Sequence, residues 1–202
     1  PKVVERLRYK RDRQGYIDTG WTHIFVVPAE GGTPRQLTDG DWNHSGLAWS
    51  QDASEIYFTS YRAQDWDRPD NEGESEIYSV NVETGEISQL TDRRGPDSRA
   101  VPSPDGQLIA YIAGDEHKDF YRNQRIWVMN IDGSGSRLIS GDYDRQSGNL
   151  RWAPDGSGLY FSVSREGYRS LHFVSIDGGV PQLTDGEQIL SFSSFSDDDM
   201  AV

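Results

Sequence analysis

The chain has 202 residues with 33 acidic and 20 basic side chains, so its formal net charge is −13 at pH 7. Such a charge repels nucleic acid and anionic membrane surfaces, which argues against both as partners. The absence of cysteine excludes disulfides, thiol catalysis and a cysteine-ligated zinc site. The 21 glycines and 9 prolines, without any apolar stripe of helical period, indicate an all-β protein.

Four short apolar segments predict strands that recur along the chain, at residues 24–27, 77–80, 126–129 and 171–174. A glycine turn follows each segment, because glycine supplies the positive φ that a tight hairpin requires. These turns are residues 30–32, 83–85, 132–134 and 177–179. The next strand of each hairpin ends on Leu37, Leu90, Leu138 or Leu183, spaced 53, 48 and 45 residues apart. Thr-Asp follows three of these leucines, whereas the third copy continues with Ile139 and Ser140.

An aromatic residue or a proline lies 12 to 14 residues beyond each leucine and opens an aspartate turn. These positions are Trp49, Pro102, Trp152 and Phe195, and the turn aspartates are Asp52, Asp105, Asp155 and Asp198. Aspartate in such a turn commonly accepts nearby backbone N–H bonds, so a turn role is predicted rather than a catalytic one. The aromatic rings are predicted to pack in the wedges between neighbouring sheets. After each turn apolar residues alternate, as Ile56 and Phe58 do, which predicts another strand.

Repetition at this interval is typical of a β-propeller. Each repeat is predicted to form a four-stranded antiparallel blade, with the strand before the aspartate turn innermost and the Leu-Thr strand outermost. Blades are predicted at residues 40–92, 93–140 and 141–185, with part-blades at residues 1–39 and 186–202. Because a seven-bladed ring needs roughly 330 residues, the chain is predicted to form an incomplete arc of such a ring.

These motifs resemble the repeat of TolB-type propellers and of the propeller domains of prolyl oligopeptidase-family serine peptidases. The resemblance rests on Leu-Thr-Asp, on the Trp-Ala-Pro-Asp-Gly turn at residues 152–156 and on Ile-x-Phe, and it covers nearly the whole chain. Residues 6–16, followed by the strand at 24–27, are similar more specifically to the acylaminoacyl-peptidase or dipeptidyl aminopeptidase-like branch. This resemblance implies a carboxy-terminal α/β-hydrolase domain outside the chain. That domain would hold a Ser-Asp-His triad, and the propeller would restrict access to short peptides.

The chain itself contains no candidate catalytic centre. The Gly-x-Ser-x-Gly turn that carries a hydrolase nucleophile does not occur, and residues 133–137, the nearest match, are interpreted as a hairpin turn. His172 occupies the repeat position of Phe25, Tyr78 and Trp127, so a packing role is predicted for its ring. We therefore assign no catalytic residue, no cofactor and no metal to this chain.

Two acidic segments could supply oxygen ligands to a hard cation such as calcium. Residues 65–72 lack the glycine and the glutamate of an EF-hand loop at the required positions. Residues 115–119 contain a single histidine with Lys118 among the carboxylates. Solvated acidic loops are therefore favoured over metal sites in both segments.

Both acidic segments belong to the long connections between the second and third strands of a blade, at residues 61–75 and 113–124. The matching connection at 163–169 is shorter. Long loops on a rigid scaffold commonly carry function, and in a propeller these loops leave one face. We hypothesise that this face contacts the hydrolase domain or the incoming peptide; the alternative is that these are ordinary exposed loops. The candidate residues are Arg62, Trp66, Asp67, His117, Phe120, Tyr121 and Arg122.

Two functions stay open at this point. In the first, the chain is the non-catalytic propeller segment of a serine peptidase and selects short or N-blocked peptides for its hydrolase domain. In the second, it is a TolB-like platform for protein–protein interaction without enzymatic activity. Residues 6–16 favour the first, and four scattered histidines give little support to a polysaccharide-lyase propeller with a histidine-rich metal centre. The sequence leaves homo-oligomerisation open and the compartment unknown, with the cytoplasm slightly favoured.

Overall fold

A computed structural model describes residues 9–13, 15–16, 20–62, 74–114, 124–141, 147–179, 184, 187–190, 194–195 and 200–201. Every regular element within these residues is a β-strand, and every pairing between the named strands is antiparallel. The described part of the chain has no helix that is long and apolar enough to span a membrane. The predicted all-β fold is therefore confirmed.

The strands form six sheets in chain order. The chain starts with two pairs, β1 (Lys10–Arg11) with β2 (Gly15–Tyr16) and β3 (Phe25–Val26) with β4 (Arg35–Gln36). The first four-stranded sheet contains β5 (His44–Trp49), β6 (Glu55–Ser60), β7 (Glu76–Asn81) and β8 (Ile87–Gln89). The second contains β9 (Asp97–Pro102), β10 (Leu108–Ala113), β11 (Arg125–Asn130) and β12 (Arg137–Leu138). A three-stranded sheet follows, with β13 (Ser147–Trp152), β14 (Gly158–Arg165) and β15 (Tyr168–Ser175), and then the pair β16 (Ser194–Phe195) and β17 (Met200–Ala201).

The order of strands within each sheet matches the predicted blade. Strands β5, β9 and β13 each lie at one edge of their sheet and precede the aspartate turn, and we call them the inner strands. The strands that lead to the Leu-Thr position, β8 and β12, lie at the opposite edge of their sheets. The residue limits assigned to the blades stay a prediction.

The hydrophobic core lies between successive sheets, because the alternating residues of each strand point towards one neighbour or the other. One cluster joins the residues that flank the β3–β4 pair to the first four-stranded sheet, and it consists of Ile24, Leu37, Ile56, Phe58, Tyr78 and Val80. A second cluster includes Tyr57 and Ile77 from the first four-stranded sheet with Ile109 and Tyr111 from the next. The third joins Ile112 and Val128 to Leu159 and Phe161. These clusters fill the wedges that hold neighbouring blades together.

The threonine that follows the repeated leucine has a specific structural role. The hydroxyl Oγ1 of Thr38 accepts a 2.9 Å hydrogen bond from the backbone N–H of Ile24. Thr91 makes the same 2.9 Å bond with the N–H of Ile77, and Thr184 makes it with Leu171. Each threonine therefore satisfies a backbone donor at the start of the strand that opens its hairpin, which explains why this residue recurs.

The third repeat retains this arrangement with a shift of one residue. Comparison of the repeats by sequence position did not reveal it. Ser140 accepts the N–H of Ile126 at 3.1 Å, so it replaces threonine. Ile139, rather than Leu138, pairs its N–H with the Ile126 carbonyl at 3.0 Å. The third copy has lost Thr-Asp in sequence, but Ser140 supplies the same hydroxyl contact one position later.

The two repeated tryptophans differ in their surroundings. Trp152 is only 6% exposed, and its Nε1 donates a 2.9 Å hydrogen bond to the backbone oxygen of Val101 on the preceding inner strand. The predicted packing between sheets is confirmed for Trp152. It is wrong for Trp49, which is 51% exposed, because the described sheet before β5 contains only β3 and β4 and offers no inner strand to cover the ring. The side chain of Phe195 lies outside the described residues.

The aspartates of the repeated turns are turn residues, as predicted. Asp52 Oδ1 accepts the backbone N–H of Ser54 at 3.0 Å, and Asp105 and Asp155 accept the N–H of the second residue after them in the same way. These hydrogen bonds stabilise the carboxylate and lower the pKa of Asp52 to about 2, with the Ser50 hydroxyl as the largest contributor. Asp198 lies outside the described residues.

Candidate functional site

The long loops and the connections between sheets leave the blades at the same edge, which we call the loop edge. In the first four-stranded sheet, the register places His44, Ser60 and Glu76 in one row along this edge. In the second, Asp97 and Ala113 occupy the equivalent row. His44, Ser60, Glu76 and Asp97 are all buried, so the loop edge contains a set of buried polar groups.

Arg62 is the one predicted loop residue that lies within the described part of the chain. It lies two residues after the end of β6 at the loop edge, and its guanidinium carbon lies 5.9 Å from the centre of the Tyr78 ring. The other predicted residues lie outside the described residues, and so do both acidic segments: Trp66, Asp67, His117, Phe120, Tyr121 and Arg122. The structure places Arg62 in a cation–π contact and leaves the interface hypothesis untested.

Glu76 and Asp97 form a buried acidic pair between the first and second four-stranded sheets. Glu76 begins β7 and Asp97 begins β9, and their side chains interact electrostatically across the sheet boundary. Thr91 Oγ1, which accepts the N–H of Ile77, also donates a 2.5 Å hydrogen bond to Glu76 Oε2. Asp97 is fully buried, and its Oδ2 has no hydrogen-bond partner among the described residues.

Arg93 is the cation that accompanies this pair. Its NH2 group lies 3.4 Å from Asp97 Oδ1 and donates a 2.9 Å hydrogen bond to the carbonyl of Gly114. The guanidinium carbon also lies 4.4 Å from the centre of the Trp127 ring. Arg93 therefore joins the connection between the two sheets to the start of β9, to the end of β10 and to β11.

The same connection contacts the ends of both predicted loops. The Glu74 carboxylate, at the end of the first loop, accepts the backbone N–H of Gly95 at 3.0 and 3.1 Å. The hydroxyl of Ser75 donates to the carbonyl of Asp97 at 3.0 Å. Gly114, whose carbonyl accepts the hydrogen bond from Arg93, is the last described residue before the second loop. Residues 93–97 thus hold the described ends of both loops beside the acidic pair.

The environment changes the acidity of both buried carboxyl groups. Burial raises the pKa of Glu76 to about 8, with the Thr91 hydrogen bond opposing the shift and the charges of Asp97, Glu74 and Asp92 adding to it. Burial also raises the pKa of Asp97 to about 6, although Arg93 pulls it in the opposite direction. At neutral pH Glu76 is therefore protonated, and Asp97 carries the charge that faces Arg93.

Glu76 should make the stability of the protein depend on pH. The folded protein keeps a proton on Glu76 up to pH 8 or so, whereas the unfolded chain releases it near its ordinary pKa of 4.5. The free energy of unfolding should then fall as pH rises from about 4.5 to about 8, because the folded state binds more protons over this range. Since each pKa unit is worth about 1.4 kcal/mol, Glu76→Gln should stabilise the protein by about 2–4 kcal/mol at pH 9 and hardly at pH 4.

Urea denaturation between pH 6 and pH 9 measures this effect. Titration of Asp97 changes the free energy of unfolding mainly below pH 6, so it interferes little in this range. Glu86→Gln, which changes an exposed glutamate, is the control. Its free energy of unfolding should fall with pH as steeply as that of the wild type. An equal loss of stability with pH in wild type and Glu76→Gln would show that Glu76 does not hold the proton.

A histidine pair occupies the equivalent place one sheet boundary earlier. The ring centres of His23 and His44 are 5.9 Å apart, and His44 Nδ1 lies 3.0 Å from the Ser60 hydroxyl. Burial lowers the pKa of His44 to about 4, and the charge of Arg62 adds to this shift. His44 is therefore neutral at pH 7, and its ring also packs edge-on against Phe58 at 5.0 Å. The second buried histidine, His172, packs at 5.5 Å from Phe161 as its repeat position predicts.

The loop edge holds polar groups, and its contact between the Ser60 hydroxyl and His44 is buried and packed against Phe58. The described residues contain no group of three His, Cys, Asp or Glu side chains placed to bind a metal ion. Sequence reasoning did not identify Glu76, Asp97 or Arg93. One signal was present: Glu76 occupies the position before the repeated isoleucine that His23 also occupies, so a polar residue recurs at the start of these buried strands.

Comparison with known proteins assigns the family. The family model described as the TolB beta propeller domain matches residues 15–197. The chain belongs to this propeller family. Its inner strands, repeated hydroxyl contacts and aspartate turns are therefore features of a TolB-type propeller.

Relatives of this TolB-type propeller include both peptidases and TolB proteins. The chain is 25% identical over 211 aligned residues to dipeptidyl-peptidase 5 of Porphyromonas gingivalis, which covers 96% of this chain and 30% of the relative. It is 24% identical to the Tol-Pal system protein TolB of Francisella tularensis, over 67% of this chain and 28% of that protein. The chain thus spans less than a third of the length of either relative.

A solved structure shows the same fold over almost the whole chain. The acylaminoacyl peptidase of Pyrococcus horikoshii superposes with a TM-score of 0.69 at 20% sequence identity, covering 98% of this chain and 29% of that one. The predicted resemblance to TolB-type and peptidase propellers is confirmed, and so is the predicted propeller fold.

Proposed function

We propose that this chain is the non-catalytic propeller segment of a serine peptidase that acts on short or N-blocked peptides. In this proposal it gates and selects substrates for a carboxy-terminal hydrolase domain encoded outside the chain. The observation that carries the proposal is the extent of the match to dipeptidyl-peptidase 5, which covers 96% of this chain. The match to TolB covers only 67% of the chain.

The loop edge supports this proposal physically. A gate needs loops that are long enough to contact a substrate and that start from a rigid base. The connection at residues 93–97 supplies such a base, because Glu74 binds Gly95 and Arg93 binds Gly114. Both predicted loops therefore begin or end at one cluster of buried contacts, next to the acidic pair.

The alternative is a TolB-like platform for protein–protein interaction. Two observations favour it: the family is named for TolB, and a TolB protein is among the relatives. In this alternative the loops at the loop edge would bind a protein partner, and no hydrolase domain would follow.

An activated-serine probe tests the two proposals against each other. The full-length protein that carries this chain is treated with a fluorophosphonate, and the labelled residue is located by mass spectrometry. We expect labelling of a serine in a Gly-x-Ser-x-Gly turn beyond Val202, and no labelling after heat denaturation or after replacement of that serine by alanine. A protein that ends shortly after one further blade and takes up no label would contradict the peptidase proposal and support the binding platform.

A further inference from the structure

Each inner strand contains the same β-bulge at its third residue. In β5, β9 and β13 two residues oppose a single residue of the neighbouring strand, and the register shifts at that point. The first residue of each bulge has left-handed backbone geometry: φ is 62° at Gly46, 59° at Arg99 and 52° at Asn149. Such bulges commonly lie near functional sites, where they redirect a side chain.

Arg99 is the exception among these three residues. Glycine adopts a left-handed conformation without a steric penalty, and asparagine tolerates it better than most residues. Arginine has neither advantage, so the fold alone would favour glycine or asparagine at position 99. A residue held in such a conformation is a reason to look for a function of its side chain.

The described part of the fold makes no use of the Arg99 guanidinium. The backbone N–H of Arg99 donates a 3.4 Å hydrogen bond to Thr59 Oγ1, but the side chain is exposed and has no hydrogen bond or ion pair within the described residues. The nearest carboxylate along the strand, Asp97, is fully buried and faces Arg93. An unpaired arginine is notable in a chain of net charge −13.

Arg99 lies where the inner strands of successive blades come together. A Cβ on Gly46 would lie 3.9 Å from the backbone nitrogen of Arg99, so the bulges of β5 and β9 are neighbours. The next inner strand is joined to β9 through the bond from Trp152 to Val101, and Arg151 on that strand is also exposed. In a propeller the inner strands lie next to the central axis, so two successive inner strands of this acidic chain each carry an exposed arginine.

We infer that Arg99 binds a carboxylate beside the inner strands, and that in the proposed peptidase the carboxylate is the C-terminal group of a short peptide. The second part rests on the proposed function. A guanidinium offers paired N–H donors whose geometry matches a carboxylate, and it stays charged at all physiological pH values. Arg99 is exposed at the bulge of the innermost strand of its blade, and the next inner strand carries a second exposed arginine, Arg151.

Paired peptides test this inference without depending on catalysis. N-acetyl trialanine and its C-terminal amide are titrated into the full-length protein by calorimetry, after any fluorophosphonate-labelled serine has been replaced by alanine. We expect the free acid to bind about tenfold more tightly than the amide, as one charge-assisted pair provides. Arg99→Asn should abolish that preference while keeping or raising the thermal midpoint, because asparagine already occupies the same bulge position in β13. Arg99→Lys should retain part of the preference.

Arg165→Gln is the matched control, because it removes the same charge from an exposed arginine at the turn between β14 and β15, where it pairs with Glu166. It should leave the preference for the free acid intact. Equal binding of acid and amide by the wild type, or an undiminished preference in Arg99→Asn, would overturn the inference. A protein without labelled serine or peptide turnover, but with a preference for the free acid that Arg99→Asn removes, would contradict the peptidase proposal and leave the carboxylate site standing.

Discussion

Arg93→Met is expected to destabilise the protein by about 3–5 kcal/mol at pH 8, because removal of one partner leaves the buried charge of Asp97 without compensation. Asp97 is 0% exposed, and its pKa of about 6 means that it is ionised at pH 8. Methionine fills a similar volume, so the loss reports mainly on charge and hydrogen bonding. Urea denaturation followed by circular dichroism measures the change.

The pH dependence and a second substitution identify the cause of this loss. At pH 5 Asp97 is mostly protonated, so the loss in Arg93→Met should be clearly smaller than at pH 8. Asp97→Asn combined with Arg93→Met should recover much of the stability at pH 8, because the uncompensated charge at position 97 is removed as well. The hydrogen bond to Gly114 and the contact with Trp127 do not titrate in this range. A loss of equal size at both pH values would assign the effect to those two contacts instead of the ion pair.

Trp152→Ala is expected to cost about 3–5 kcal/mol, the usual range for removal of a large buried aromatic side chain. The indole fills the wedge between the second four-stranded sheet and the next one, together with Leu159 and Phe161. Its removal also leaves the carbonyl of Val101 without the Nε1 donor. The free energy of unfolding from urea denaturation is the quantity to compare.

Trp152→Phe separates the two contributions to this effect. Phenylalanine keeps most of the ring in the wedge but cannot donate to Val101, so we expect a loss of about 1–2 kcal/mol from the hydrogen bond and the remaining cavity. A loss in Trp152→Ala below 1 kcal/mol or so would mean that the sheets are not held together at this wedge.

Local features of the fold could be predicted from the sequence because each depends on a few neighbouring residues. Strand alternation predicted the burial of Ile56 and Phe58, which the structure places in the core. The glycine turns and the aspartate turns followed from backbone requirements within four or five residues. The candidate site was harder to predict, since six of the seven predicted loop residues lie outside the described residues and Arg62 alone can be placed.

Contacts across sheet boundaries could not be predicted in the same way. Glu76, Arg93 and Asp97 lie on different elements and become one cluster only when two sheets pack together. Trp49 and Trp152 share a repeat position, yet only Trp152 has a neighbouring inner strand that covers it. Their difference depends on the neighbouring sheet and not on the motif.

The sequence by itself determined the all-β class, the propeller repeat and the turn chemistry, since short-range periodicity and backbone preferences specify these features. Only the tertiary structure decided that Ser140 replaces threonine in the third repeat, that two carboxyl groups share a buried wedge, and that Arg99 has a left-handed backbone on an inner strand. The physical reason is that hydrogen bonding, desolvation and strain at these positions depend on groups that are far apart in the chain and meet only in the folded blades.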